Sequence, residues 1–158
     1  MTQEKKQEYT LRITQANKTQ MITIIYEMVM DYLNDTIDAL ALGKRADADR
    51  SIGYAQNCID ELLRSLDMRY ELAKNLHKIY IFSKRELMVA GAKGSIHRVW
   101  KVQQNFKQLH SAYLELEKAD ESARLMGNTQ TVIAGLTYGR FSLNEDVTAV
   151  SMNRGLMA

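Results

Sequence analysis

From Asn17 to about Leu125 the apolar residues recur mostly three and four positions apart, the period of a helix with one buried side. The spacing predicts a first helix from near Asn17, where Asn17 and Gln20 are placed to form a capping box. Met21, Ile25, Met28, Tyr32 and Leu33 make its stripe, widened by Ile22, Val29 and Ile37, and Gly43 is its stop. A second helix starts at Asp47 or Asp49, with Ile52, Ala55, Ile59, Leu62, Leu63 and Leu66 on one side. A third carries Leu72, Leu76, Ile79, Tyr80, Ser83 and Leu87 and ends at Gly91. Read as one rod, Ile52 to Leu87 would run about 54 Å, against about 37 Å for a first helix of about 25 residues, so a tight corner is expected around Asp67–Tyr70. After the loop Gly91–Ser95, with Ser95 as cap, a fourth helix runs to about Leu125. Ile96, Val99, Trp100, Val102, Phe106, Leu109, Tyr113, Leu114 and Leu116 mark its buried side, and Gly127-Asn128 breaks it.

Outside these helices the pattern changes. Residues 1–16 are polar, with Tyr9, Leu11 and Ile13 alternating at the end, and read as a flexible N-terminal arm with a sticky strip. From Thr129 on, within an extension over residues 127–158, the chain holds glycines at 135, 139 and 155 and few charges. There Ser142 and Glu145 form a second capping box, and Leu143, Val147 and Val150 make one apolar stripe. A short helix over about 143–153 is expected there, marginal alone in water. The expected fold is all-α: an antiparallel up-down four-helix bundle (17–126), with the arm before it and a C-terminal extension after it.

Composition sharpens this reading without redirecting it. The chain of 158 residues contains no proline, where average usage would give roughly eight, which suits long uninterrupted helices. A net charge of +2 gives no argument for a nucleic-acid partner. No apolar run approaches the length of a membrane span, and the opening residues do not read as a secretory leader. The one cysteine, Cys58, fits a reducing cytoplasm.

Candidate chemistry is sparse. His77, His97 and His110 match neither a His-Glu-x-x-His motif nor the Glu-x-x-His of di-iron bundles, so no metal or other cofactor is expected. His77, with Lys74, Lys78 and Lys84 nearby in sequence, could accept a phosphoryl group; the alternative is a partly exposed helix histidine. Cys58 borders an apolar stripe and reads as a small buried hydrophobe. The nine methionines are either core gap-fillers or part of a surface that adapts to flexible clients. Nothing here points to an enzyme.

The stretch from Ala55 to Phe82, "AQNCIDELLRSLDMRYELAKNLHKIYIF", resembles the FliS family, the flagellin-specific export chaperones. Ala55, Gln56, Ile59, Glu61, Leu62, Leu66 and Asp67 match its first motif; Glu71 to Leu76 and Tyr80 match its second. "QANKTQMITIIYEMVMDYL" is similar to the family's first helix, with Ala16, Ile22, Ile25, Tyr26, Glu27, Tyr32 and Leu33 in register. Lys18 replaces a usual proline and Met28 a usual glycine. The resemblance covers about residues 8–120. It implies a four-helix bundle whose second and third helices meet at the corner above. It also implies a non-enzymatic cytoplasmic chaperone that binds the C-terminal segment of flagellin, prevents premature polymerisation and supports delivery to the flagellar type III export apparatus, whose components could also bind. On this reading Tyr9, Ile25, Tyr26, Leu66, Leu76 and Tyr80 are the expected flagellin contacts, in a monomer or weak homodimer. The alternatives are a histidine-phosphotransfer bundle and a generic helical adaptor.

Overall fold

The computed structural model describes residues 1–122 and Leu125. These form five helices: α1 Gln3–Gln15, α2 Lys18–Ala41, α3 Arg45–Arg64, α4 Glu71–Lys93 and α5 Ile96–Ala119. There is no strand among the described residues. Helix α2 packs on α3 and α5, α4 packs on the same two, and α1 lies on α2. Side-chain bonds give the directions: Gln103 to Asn34 and His110 to Glu27 run α5 opposite to α2. Lys84 pairs with Asp60, and Arg98 with Glu86 at 2.9 Å.

The helix ends follow local chemistry. Asn17 accepts from Gln20 N–H while the Gln20 side chain accepts from Asn17 N–H, both at 2.9 Å, so the expected capping box starts α2. Gly43, at φ 70°, ends it in the left-handed region. The corner lies at 65–70, as the length argument required, and no glycine or proline makes it. Instead the Asp67 carboxylate accepts from the Arg69 N–H at 3.1 Å and clamps the Arg69 guanidinium, an Asx-type turn.

Several expectations are corrected. Helix α4 does not stop at Gly91 but runs to Lys93; Gly94, at φ 64°, is the left-handed end. Gly91 lies within the helix, and its missing side chain admits α3: a Cβ there would sit 3.3 Å from the Ile52 Cδ1. Ser95 is the residue before α5 but its side chain makes no cap bond. Helix α3 begins at Arg45, ahead of Asp47, and the Arg45 guanidinium donates to the carbonyls of Gly91 and Ala92 at the end of α4. Helix α5 ends at Ala119 rather than near Leu125, and Ile96, Trp100, Leu114 and Leu116 on it are exposed. Residues 3–15 are a helix, not an alternating strip. Tyr9 and Ile13, four apart, are buried, and Leu11 is exposed. The expected helix at 143–153 and the break at Gly127-Asn128 lie outside the described residues.

The core is continuous from α1 to α5. At its centre Tyr26, Tyr80 and Phe106 are essentially inaccessible. The Tyr26 and Tyr80 hydroxyls bond each other at 2.5 Å. Tyr26 meets Phe106 and Tyr113 edge-on at 5.7 and 5.2 Å, the arrangement aromatic quadrupoles favour. Cys58 is fully buried, and desolvation pushes its thiol above the usual range. Buried Thr23 and Thr36 satisfy their hydroxyls on the carbonyls of Thr19 and Tyr32.

Candidate functional site

Most of α4's apolar residues divide into two adjoining rows. Leu76, Tyr80, Leu87 and Ala90, with Ala73 and Ser83, face the core. Leu72, Ile79 and Phe82, seven and three apart, form a second row on the side of α5. Across from it, α5 offers Leu109 and, seven residues on, Leu116. Between them lies an open groove of about 350 Å³, lined by Lys78, Ile79, Phe82, Asn105, Gln108 and Leu109. Phe82 is 44% exposed and Leu72 59%. The Arg98–Glu86 pair crosses from α5 to α4 beyond one end of this groove. At the other end, toward the start of α4 and the end of α5, it runs toward exposed Leu72 and Leu116. The lining is apolar with amide and ammonium groups at the rim. It can hold an apolar helical face and orient it by polar edges; it presents no arrangement suited to covalent chemistry.

The sequence-derived contacts lie elsewhere. Ile25, Tyr26, Leu76 and Tyr80 are buried in the core, and Leu66 is partly buried at the α3–α4 corner. Burial raises the Tyr26 and Tyr80 phenols, with their mutual proximity adding to the effect at Tyr26. Tyr9 is 4% exposed, and its hydroxyl donates to Asp31 at 2.6 Å. It belongs to a polar seam that seats α1: Arg12 reaches Glu27 through two bonds of 2.5 and 2.9 Å. Lys5 reaches Asp31 at 2.7 Å, and His110 approaches Glu27 at 3.2 Å. Burial works against ionisation of Glu27, but the Arg12 and His110 hydrogen bonds outweigh it and hold the carboxyl below its ordinary value.

Of the groove residues, Leu109 was expected on the buried side of its helix and Phe82 was missed in the sequence; the signal for Phe82 was stripe width. Leu72, Leu76, Ile79 and Tyr80 span about 100° of the α4 circumference, and Phe82 widens the apolar arc to about 160°, more than one core row needs. The methionines divide the same way: Met28 is buried, while Met68 and Met88 are exposed. His77 is half-buried, and two of the lysines expected around it are engaged, Lys74 with Glu71 and Lys84 with Asp60. Among the described residues no group of three or more His, Cys, Asp or Glu is placed to hold a metal ion, and no helix is long and apolar enough to cross a membrane.

Comparison with curated proteins gives no match. The family model described as "Flagellar protein FliS" matches residues 1–120, all five helices and both motif segments. The chain therefore belongs to the FliS family of flagellar chaperones.

Proposed function

We propose that this chain is a cytoplasmic export chaperone that holds the C-terminal segment of flagellin along the α4–α5 groove, keeps it from polymerising early and supports its delivery to the export apparatus. The observation that carries the reading is the second apolar row of α4. A helix whose core face is complete carries an additional exposed stripe of Leu72 and Phe82, continuous with a groove. An amphipathic client helix satisfies its own main-chain groups, so a groove suffices and no enclosing pocket is needed. Catalysis and cofactors have no part in this function. The working unit is a monomer or weak homodimer, with export components as further partners.

The six residues first named as contacts take a supporting role. Ile25, Tyr26, Leu76 and Tyr80 hold the helices at the spacing that forms the groove, and Leu66 shapes the corner at its open end. Tyr9 acts through α1, which lies over the far side of α2. Removing residues 1–14 is expected to change flagellin affinity while leaving α2–α5 folded. Calorimetric titration of the flagellin C-terminal segment tests the assignment. Phe82→Asp should weaken binding at least tenfold with an unchanged melting temperature. Leu76→Ala should lower stability by about 2–5 kcal/mol with a smaller effect on binding. If Leu76→Ala removes binding at temperatures where it is fully folded and Phe82→Asp does not, the contacts run through the first set.

A further inference from the structure

Just past α5 the chain is fastened to the joint between α1 and α2. The Asn17 side-chain amide donates to the carbonyls of Asp120 and Ser122, both at 3.4 Å. The Thr19 hydroxyl donates to the Asp120 carboxylate, and the Leu125 N–H donates to the Ala16 carbonyl at 2.9 Å. The C-terminal extension therefore leaves the bundle at the end where α4 begins and α5 finishes, which is the open end of the groove.

We propose that residues 143–153 of this chain dock in the α4–α5 groove of the same molecule and compete there with the client. The inference rests on the groove being the client's seat. Three observations choose this occupant over others. The first is reach. About seventeen residues separate Leu125 from Leu143, enough for roughly 55 Å when extended, while all of α4 is about 35 Å long. The second is pattern. Leu143, Val147 and Val150 make one stripe, with polar Thr148 and Glu145 on the far side of the helix, which is what a groove floored by Ile79, Phe82 and Leu109 can bury. The third is charge. Glu145 and Asp146 fall in the first turn of that segment, and the groove's charged rim group is Lys78. An eleven-residue helix is marginal in water and needs such a surface to persist. Tethering supplies a high effective concentration, so weak contacts are enough.

The test uses the full chain. Cys58 is buried, so Thr148→Cys provides a single reactive thiol for a nitroxide label. Methyl resonances of Ile79 and Leu109 should broaden in dilute labelled protein, and adding Val147→Asp should restore them. In the same experiment Val147→Asp should bind the flagellin C-terminal segment several-fold more tightly than the parent chain, because the self-occupied fraction is released. Unbroadened Ile79 and Leu109 overturn the docking. So does broadening that survives Val147→Asp, or that arises only between differently labelled chains. If the methyls broaden but flagellin binds neither protein, the tail's seat stands, while its competitive role and the chaperone reading fall together.

Discussion

Helices α2 and α4 are nearly equal in length, 24 and 23 residues, yet they are covered very differently. Helix α2 buries residues around most of its circumference. Ile25, Val29 and Leu33 face the bundle, and Ile24 and Met28 are also buried, on the side where α1 lies. Helix α4 has no such cover. Among the described residues it packs on α3 and α5 only, and Leu72, Phe82 and Met88 are exposed. The cover on α2 is held by charge as well as by apolar contact: Glu27 and Asp31, one turn apart, meet Arg12, Lys5 and Tyr9 of α1. No matching acid ladder lines the exposed row of α4, whose groove is bordered by Lys78, Asn105 and Gln108. Among the described residues, then, one apolar face is closed by the chain's own helix and another is left open. Under the proposed function, the open face is the one that receives a transient occupant.

The sharpest way to break this contrast is to cut side chains on both helices. Leu33→Ala, at a fully buried position of α2, should cost about 2–5 kcal/mol in urea unfolding. Phe82→Ala on α4 should change stability by only about 0.5 kcal/mol. Similar losses at the two sites would mean that the α4 row is core after all.

The tyrosine pair joining the two helices gives the next largest effect. Tyr26→Phe leaves the buried Tyr80 hydroxyl without its partner and should cost about 1–3 kcal/mol. The double change, Tyr26→Phe with Tyr80→Phe, should recover much of that loss. Folding raises both phenols, so their contribution is fully present below the ordinary tyrosine value of about 10 and declines as pH rises beyond it. The urea midpoint of the parent chain should therefore fall between pH 9 and pH 11, and less so in the double variant.

Much of this architecture was legible in the sequence, and the failures have physical causes. Asn17, Gln20 and Gly43 mark the ends of α2 through their own backbone chemistry, so local sequence suffices. The 65–70 corner was legible from length alone, because two helices of a bundle must match. The stop of α4 was misplaced because glycine ends a helix or admits a neighbour, and Gly91 does the second. Helix α1 was missed because Tyr9 and Ile13 look like part of an alternation until the carboxylates of α2 are placed beside them. The candidate contacts were drawn from motif residues, which fall largely in the core. A stripe of apolar residues says that a face is covered, but not whether the same chain covers it.

Two smaller effects refine the picture at the edges. Gly94→Ala forces a side chain into the left-handed region and against the Arg45 guanidinium, and should cost about 1–2 kcal/mol. Gly43→Ala, with open space around it, should cost less. At the α1 seat, folding holds Glu27 below its ordinary value. Its contribution is complete above that value and is lost as pH falls through the folded one. Protection factors of the α1 amides should thus fall in acid before those of α2–α5, and Glu27→Gln should bring the same loss of protection at neutral pH.

The central claim is that the open row of α4, and not the covered face of α2, receives the client. Methyl chemical shifts recorded while the flagellin C-terminal segment is titrated into the full chain test it most directly. The account predicts early, saturable shifts at Leu72, Ile79, Leu109 and Leu116, with Ile24 and Met28 unmoved. Saturable shifts at Ile24 and Met28, with the α4–α5 methyls silent, would contradict it and place the client in the seat of α1.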